Sequence, residues 1–264
     1  MIASSPPWRA PARFYEVMGT IFPRMKFISI GLFLLATSLS LSAQTANLPP
    51  VTPTNQAPMA GVPATAGSPS ALTNVPASDP FSDPLVRQVV ARHEKAVAGD
   101  KKETKALTAD LEKWTQQQPT NYLLLAYLGS AYTLSSRDAW PGPGKLTYLR
   151  KGGQCLEAAV AGAPDNPAVR FVRAINYFEL PALFGKHRAA NDDFQFLVKQ
   201  LDGLLPMPVS LNAETKQAIY YYAGLSDASF WMRPQAKDAW QRGVQLAPAS
   251  KLGVKMQAEL AKLH

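Results

Sequence analysis

The chain has 264 residues, 47% of them apolar, with 27 basic and 19 acidic side chains and a formal charge of +8 at neutral pH. Part of that excess sits at the front, where residues 1–43 hold Arg9, Arg13, Arg24 and Lys26 against Glu16; the later basic residues are interleaved with acidic ones. Interleaving gives no basic stripe, so a nucleic-acid partner is not expected, and a single cysteine, Cys155, excludes an intramolecular disulfide.

The first element is "MKFISIGLFLLATSLSLSAQ", starting at Met25. Lys26 is a positive n-region, Phe27 to Ala36 an apolar h-region, and "SLSAQ" a small-residue cleavage zone, the layout of a secretory signal peptide. Phe27 to Ala43 is 17 residues diluted by Ser and Thr, short of the roughly 20 apolar residues of a membrane span. Residues 1–43 therefore read as an N-terminal extension plus signal peptide, with Met25 as the expected start and Ala43 or Gln44 as the mature terminus. The protein is expected outside the cytoplasm, periplasmic or secreted. It would touch a membrane only through this segment, were the segment kept.

No charged side chain occurs from Gln44 to Ser78, and prolines stand at 49, 50, 53, 58, 63, 69 and 76. Proline at that density forbids a continuous helix or central strand. With so few large apolar groups the segment cannot offset its ordering entropy, so residues 44–80 read as a disordered linker. A docking peptide for a proline-binding module is the rarer alternative.

From residue 81 to 264 apolar residues recur at intervals of three and four. "SDPLVRQVVARHEKAVAG" opens with an Asp83 cap and Pro84 in the first turn, and places His93 on a charged helical face. Eight more helical segments follow, beginning near Glu103, Asn121, Lys145, Asn166, Arg188, Ala213, Pro234 and Ser250. No strand is expected.

The stretch "GLSDASFWMRPQAKDAWQRGVQLAP" places Gly224, Ala236, Trp240, Gly243 and Pro248 at offsets 0, 12, 16, 19 and 24. Two antiparallel helices that pack closely need small residues where they cross and a large one beside the crossing. Proline then stops the second helix. The pattern resembles the tetratricopeptide repeat, a 34-residue helix-turn-helix unit, with Tyr220 and Ala223 at its preceding positions and Asp227 where the family usually has tyrosine. Gly129, Tyr132, Gly152, Ala159 and Pro164 repeat it with 11 residues inserted around "SRDAWPGPGK". Ala174, Ala190 and Phe194 repeat it with four inserted in "LPALFGKH". Residues 84–119 fit coarsely, and 249–263 resemble the solvating end helix of such arrays. The resemblance implies an all-α, right-handed solenoid of about four antiparallel helix pairs plus a C-terminal capping helix.

It also implies a concave groove on the first helix of each pair. By position that groove presents Ala126, Ser130, Thr133, Phe171, Ile175, Phe178, Tyr221, Leu225 and Ala228, a surface suited to a partner helix or apolar peptide. The lysines and asparagines of the family's carboxylate clamp are absent from these positions. Trp140, beside Pro and Gly, reads as an exposed loop anchor or, preferred, as a lid over the long connection. Arg170 and Arg173 with Asp192 and Asp193 read as structural ion pairs. Cys155 and His187 are the nearest approach to a nucleophile and base, but Cys155 sits on an apolar face, where a thiol is ordinarily a small hydrophobe. No phosphate loop, paired-histidine metal motif or nucleophile elbow is present. The expected function is a non-catalytic scaffold or adaptor for another protein, without cofactor or metal. The alternatives are a small-ligand or substrate-binding accessory of an envelope transport or assembly system, and a hydrolase using Cys155.

Overall fold

The computed structural model describes residues 78–140 and 142–263. The signal peptide of residues 1–43, and all of the 44–80 linker except its last three residues, lie outside the described residues.

Among the described residues the chain is all-helical, with nine α-helices and no strand. These are α1 (Pro84–Val97), α2 (Lys101–Gln117), α3 (Tyr122–Asp138), α4 (Pro143–Gly162), α5 (Pro167–Glu179), α6 (His187–Leu201), α7 (Ala213–Ser229), α8 (Arg233–Leu246) and α9 (Lys251–Ala261). Short 3-10 turns cover Pro80–Ser82 and Ala182–Phe184.

Each odd-numbered helix is started by a side chain that accepts backbone N–H bonds at its first turn: Asp83, Asn121, Asn166, Asn212 and Ser250. Such caps satisfy donors that have no intrahelical partner and are worth about 1 kcal/mol each. Among even-numbered helices only α2 has one, from Asp100; α4, α6 and α8 lack a side-chain cap, and α4 and α8 carry proline in the first turn instead.

Consecutive helices pack on one another, and each odd helix also touches the next odd one, α1 on α3, α3 on α5, α5 on α7 and α7 on α9. The odd helices therefore have covered faces on more than one side. In α3, 12 of 17 residues are buried; in α4, only 4 of 20. Arg137 of α3 fastens α1 by donating to the carbonyls of Ala96 and Val97 at 2.8 and 3.0 Å.

Small residues mark the tightest crossings. A Cβ on Gly129 would stand 2.8 Å from the carbonyl oxygen of Gly152, and one on Gly152 equally close to that of Gly129, so α3 and α4 meet backbone to backbone. Between α7 and α8 the closest neighbour of Gly224 is Trp240. The Trp240 indole fills the space above Gly224, where any Cβ would overlap the ring, and donates its N–H to the Tyr221 carbonyl at 3.1 Å. Ala236 is fully buried, and Gly243 faces Met256 of α9. Ala159, Ala174, Ala190 and Phe194 are buried core residues. Pro164 and Pro248 each lie two residues beyond the end of a helix.

Candidate binding surfaces

The proposed groove residues do not form an open surface. Ser130, Thr133, Phe171, Ile175 and Tyr221 are buried, as is Ala126, while Phe178, Leu225 and Ala228 are half-buried and pack against or beside the core. The face assigned from repeat position is filled because neighbouring odd helices close on it. Phe171 is 3% exposed, which makes it core rather than contact surface.

A polar chain runs through this packing. The Asn176 amide donates to Ser130 Oγ at 2.6 Å, and Ser130 Oγ lies 2.6 Å from His93 Nε2, joining α5, α3 and α1. His93 is thus buried, not on a charged face as the sequence suggested. Burial, with Arg137 nearby, lowers its pKa to about 3, so the ring is neutral at physiological pH. Asp227 is buried and accepts from Asn191 and Gln195 of α6 at 2.8 and 2.7 Å. Burial pushes its pKa up.

Of the acidic pair opposite Arg170 and Arg173, only Asp193 is engaged. It binds Arg170 at 2.6 Å and Arg173 at 2.7 Å, while Asp192 is exposed. Adjacent residues on a helix point about 100° apart, so one face cannot hold both. Cys155 is half-buried, and its thiol is pushed up by burial. His187 instead lies 2.7 Å from the Leu180 carbonyl through Nε2, with its ring against Phe178. Among the described residues no group of His, Cys, Asp and Glu could hold a metal ion, and no helix is long and apolar enough to cross a membrane.

Glu179, the last residue of α5, is half-buried and burial raises its pKa to about 7. Its charge is felt by the Tyr221 and Tyr222 hydroxyls, whose own pKa values burial raises. A carboxyl whose folded pKa exceeds its unfolded value stabilises most below the unfolded value, and that contribution is lost as pH rises through the folded one. Glu179→Gln should therefore melt close to the parent at pH 5 and progressively above it by pH 8. A constant difference in melting temperature across that range would show that Glu179 does not titrate differently in the folded state.

The open surface is elsewhere. A cleft of about 620 Å³ lies between α3, α4, α5 and the Ala182–Phe184 turn. Leu146, Leu149, Leu180 and Phe184 give it apolar walls; Arg150, Glu157 and Lys186 supply its charges. Leu146 is 64% exposed, Leu183 beside Phe184 is 81% exposed, and Trp140, six residues before Leu146, is 89% exposed. Trp140 does not lie down over the α3–α4 connection, so the preferred lid reading fails. Of the two inserted stretches, the one at 180–186 contributes Leu180, Phe184 and Lys186 to this cleft, whereas the other is largely absorbed into α3 and α4 and leaves only residues 139–142 between them.

A second, smaller cavity of about 210 Å³ lies beneath α1, bounded by α3, α5 and the start of α7. Comparison with protein-family models, with curated proteins and with solved structures finds no match to this chain.

Proposed function

We propose that this chain is an exported, non-catalytic helical-repeat adaptor of tetratricopeptide type, and that it holds an apolar segment of another protein in the cleft between α4 and the 180–186 connection. The repeat reading draws support from four successive helix pairs followed by a ninth helix, with odd helices touching in series. The observation that carries the binding surface is an apolar cleft with Leu146 64% exposed on its wall and exposed Leu183 next in the chain to Phe184 of its lining. Exposed aromatic and aliphatic anchors beside a pocket are the groups that dominate protein interfaces. The hydrolase alternative lacks comparable support, since the Cys155 thiol is pushed away from its reactive form and His187 is engaged with a backbone carbonyl.

The test is capture from the envelope fraction, where the bait should be recovered with Ala43 or Gln44 as its first residue. Leu146→Asp and Trp140→Ala should each cut recovery of the main captured protein severalfold. Melting should barely move, because exposed substitutions usually change stability by no more than about 0.5 kcal/mol. Undiminished capture by the double variant would remove the cleft from consideration.

A further inference from the structure

Three polar groups that line the cavity beneath α1 make no side-chain hydrogen bond or ion pair among the described residues. Tyr127 of α3 is 2% exposed, yet its hydroxyl makes no hydrogen bond among the described residues, and the residue faces this cavity. Glu94 of α1 and Glu214 of α7 line the same space, and neither forms an ion pair there. This contrasts with Asp193, Glu157 and Asp202, each of which has found an arginine. Arg87 stands exposed at the rim, so two carboxylates oppose one guanidinium. Between the charges the walls are apolar, formed by Phe81, Val90, Phe171 and Val172.

We infer that this cavity is a binding site for a small organic cation, an ammonium group carrying one compact apolar substituent. Glu94 and Glu214 would hold the ammonium, the Tyr127 oxygen would accept one of its hydrogens, and the substituent would rest on Phe171 and Val172. Aromatic faces at a cation site add their own attraction. Two carboxylates near each other in a partly dry site repel, and a bound cation relieves that repulsion. Burial and the charge of Glu214 both raise the Glu94 pKa. The size fits a fragment rather than a drug-sized molecule, whose pockets run to roughly 300–1,000 Å³.

The arrangement of the site accounts for its selectivity. Glu94 is one turn from Val90 and two turns from Arg87 on one face of α1, so a single helix carries the anion, the wall and the rim. Asn212 both caps α7 and donates to Asp79 at 3.0 Å, which holds the Pro80–Ser82 turn and Phe81 at the edge of the cavity. A neutral ligand of the same shape would gain the apolar contacts but leave both carboxylates and the phenol unsatisfied.

Calorimetric titration of the full chain with phenethylammonium, 2-phenylethanol and an acetylated, amidated lysine tests the inference. Phenethylammonium or the lysine derivative should bind at least about tenfold more tightly than the neutral alcohol. Binding of either supports ammonium recognition, and their order shows whether the cation comes free or on a side chain. Glu94→Gln should weaken binding by a similar factor. Glu214→Gln, at an exposed position, should do so by severalfold. Equal affinity for the alcohol, no binding of either cation, or indifference to both substitutions would overturn the assignment. The result is independent of partner capture, which depends on a different surface.

Discussion

Trp240→Ala is expected to lower stability by about 3–5 kcal/mol, the usual loss for removing a large buried aromatic. Three consequences combine. The indole is 2% exposed and leaves a void that α7 cannot close, because Gly224 beneath it has no side chain to move in. The Tyr221 carbonyl loses the N–H it accepts within a buried helix. One turn along α8, Gly243 holds Met256, so any shift of α8 loosens α9 as well. A domain of ordinary stability holds only about 5–15 kcal/mol in total, so urea unfolding followed by circular dichroism should show a much earlier midpoint. Trp231→Ala serves as the control, since that side chain is exposed. A Trp240→Ala loss below about 1 kcal/mol would mean the indole fills space that the rest of the core can fill without it.

The spacing that singled out Trp240 was readable because a close helix crossing constrains residue size on both sides at fixed intervals. The helices themselves were readable from periodicity of three and four; the structure adds side-chain caps at the start of each odd helix, from Asp83, Asn121, Asn166, Asn212 and Ser250. Those caps recur at intervals of 38, 45, 46 and 38 residues. They mark the odd helices more regularly than the small residues do. Exposure was less readable. Periodicity says which side of a helix is apolar, but not whether a second helix or solvent covers it. Phe171 was expected to face a groove, yet it forms part of a cavity wall beneath α1, a helix some 80 residues earlier. His93 looked solvated because charged neighbours flank it in the chain, whereas its actual neighbours are Ser130 and Tyr127. Trp140 went the other way. Large aromatics are usually covered, but its loop offers nothing to cover it.

Asp193→Ala should be comparably damaging, for an electrostatic reason. Asp193 has no exposed surface and accepts from Arg170 Nη1 at 2.6 Å and from Arg173 Nε and Nη2 at 2.7 and 2.8 Å. Its removal leaves two largely buried guanidiniums side by side. Glu157 reaches only Arg173, at 2.8 Å, and is half exposed, so it cannot neutralise both. Arg170 would keep its place over the Phe196 ring, 3.9 Å away, without its counter-charge. Breaking a buried pair in this way costs about 3–5 kcal/mol, against about 0–1 for an exposed pair such as Lys262–Glu259. Most of that cost is the stranded charge rather than the worth of the ion pair. Replacing all three residues together, as Arg170→Met, Arg173→Leu and Asp193→Leu, should therefore recover much of the loss. Urea midpoints for Asp193→Ala, the Arg170→Met/Arg173→Leu pair and the triple variant separate the two contributions. If the triple variant is as unstable as Asp193→Ala alone, the ion cluster contributes through its own attraction, and the explanation by stranded charge is wrong.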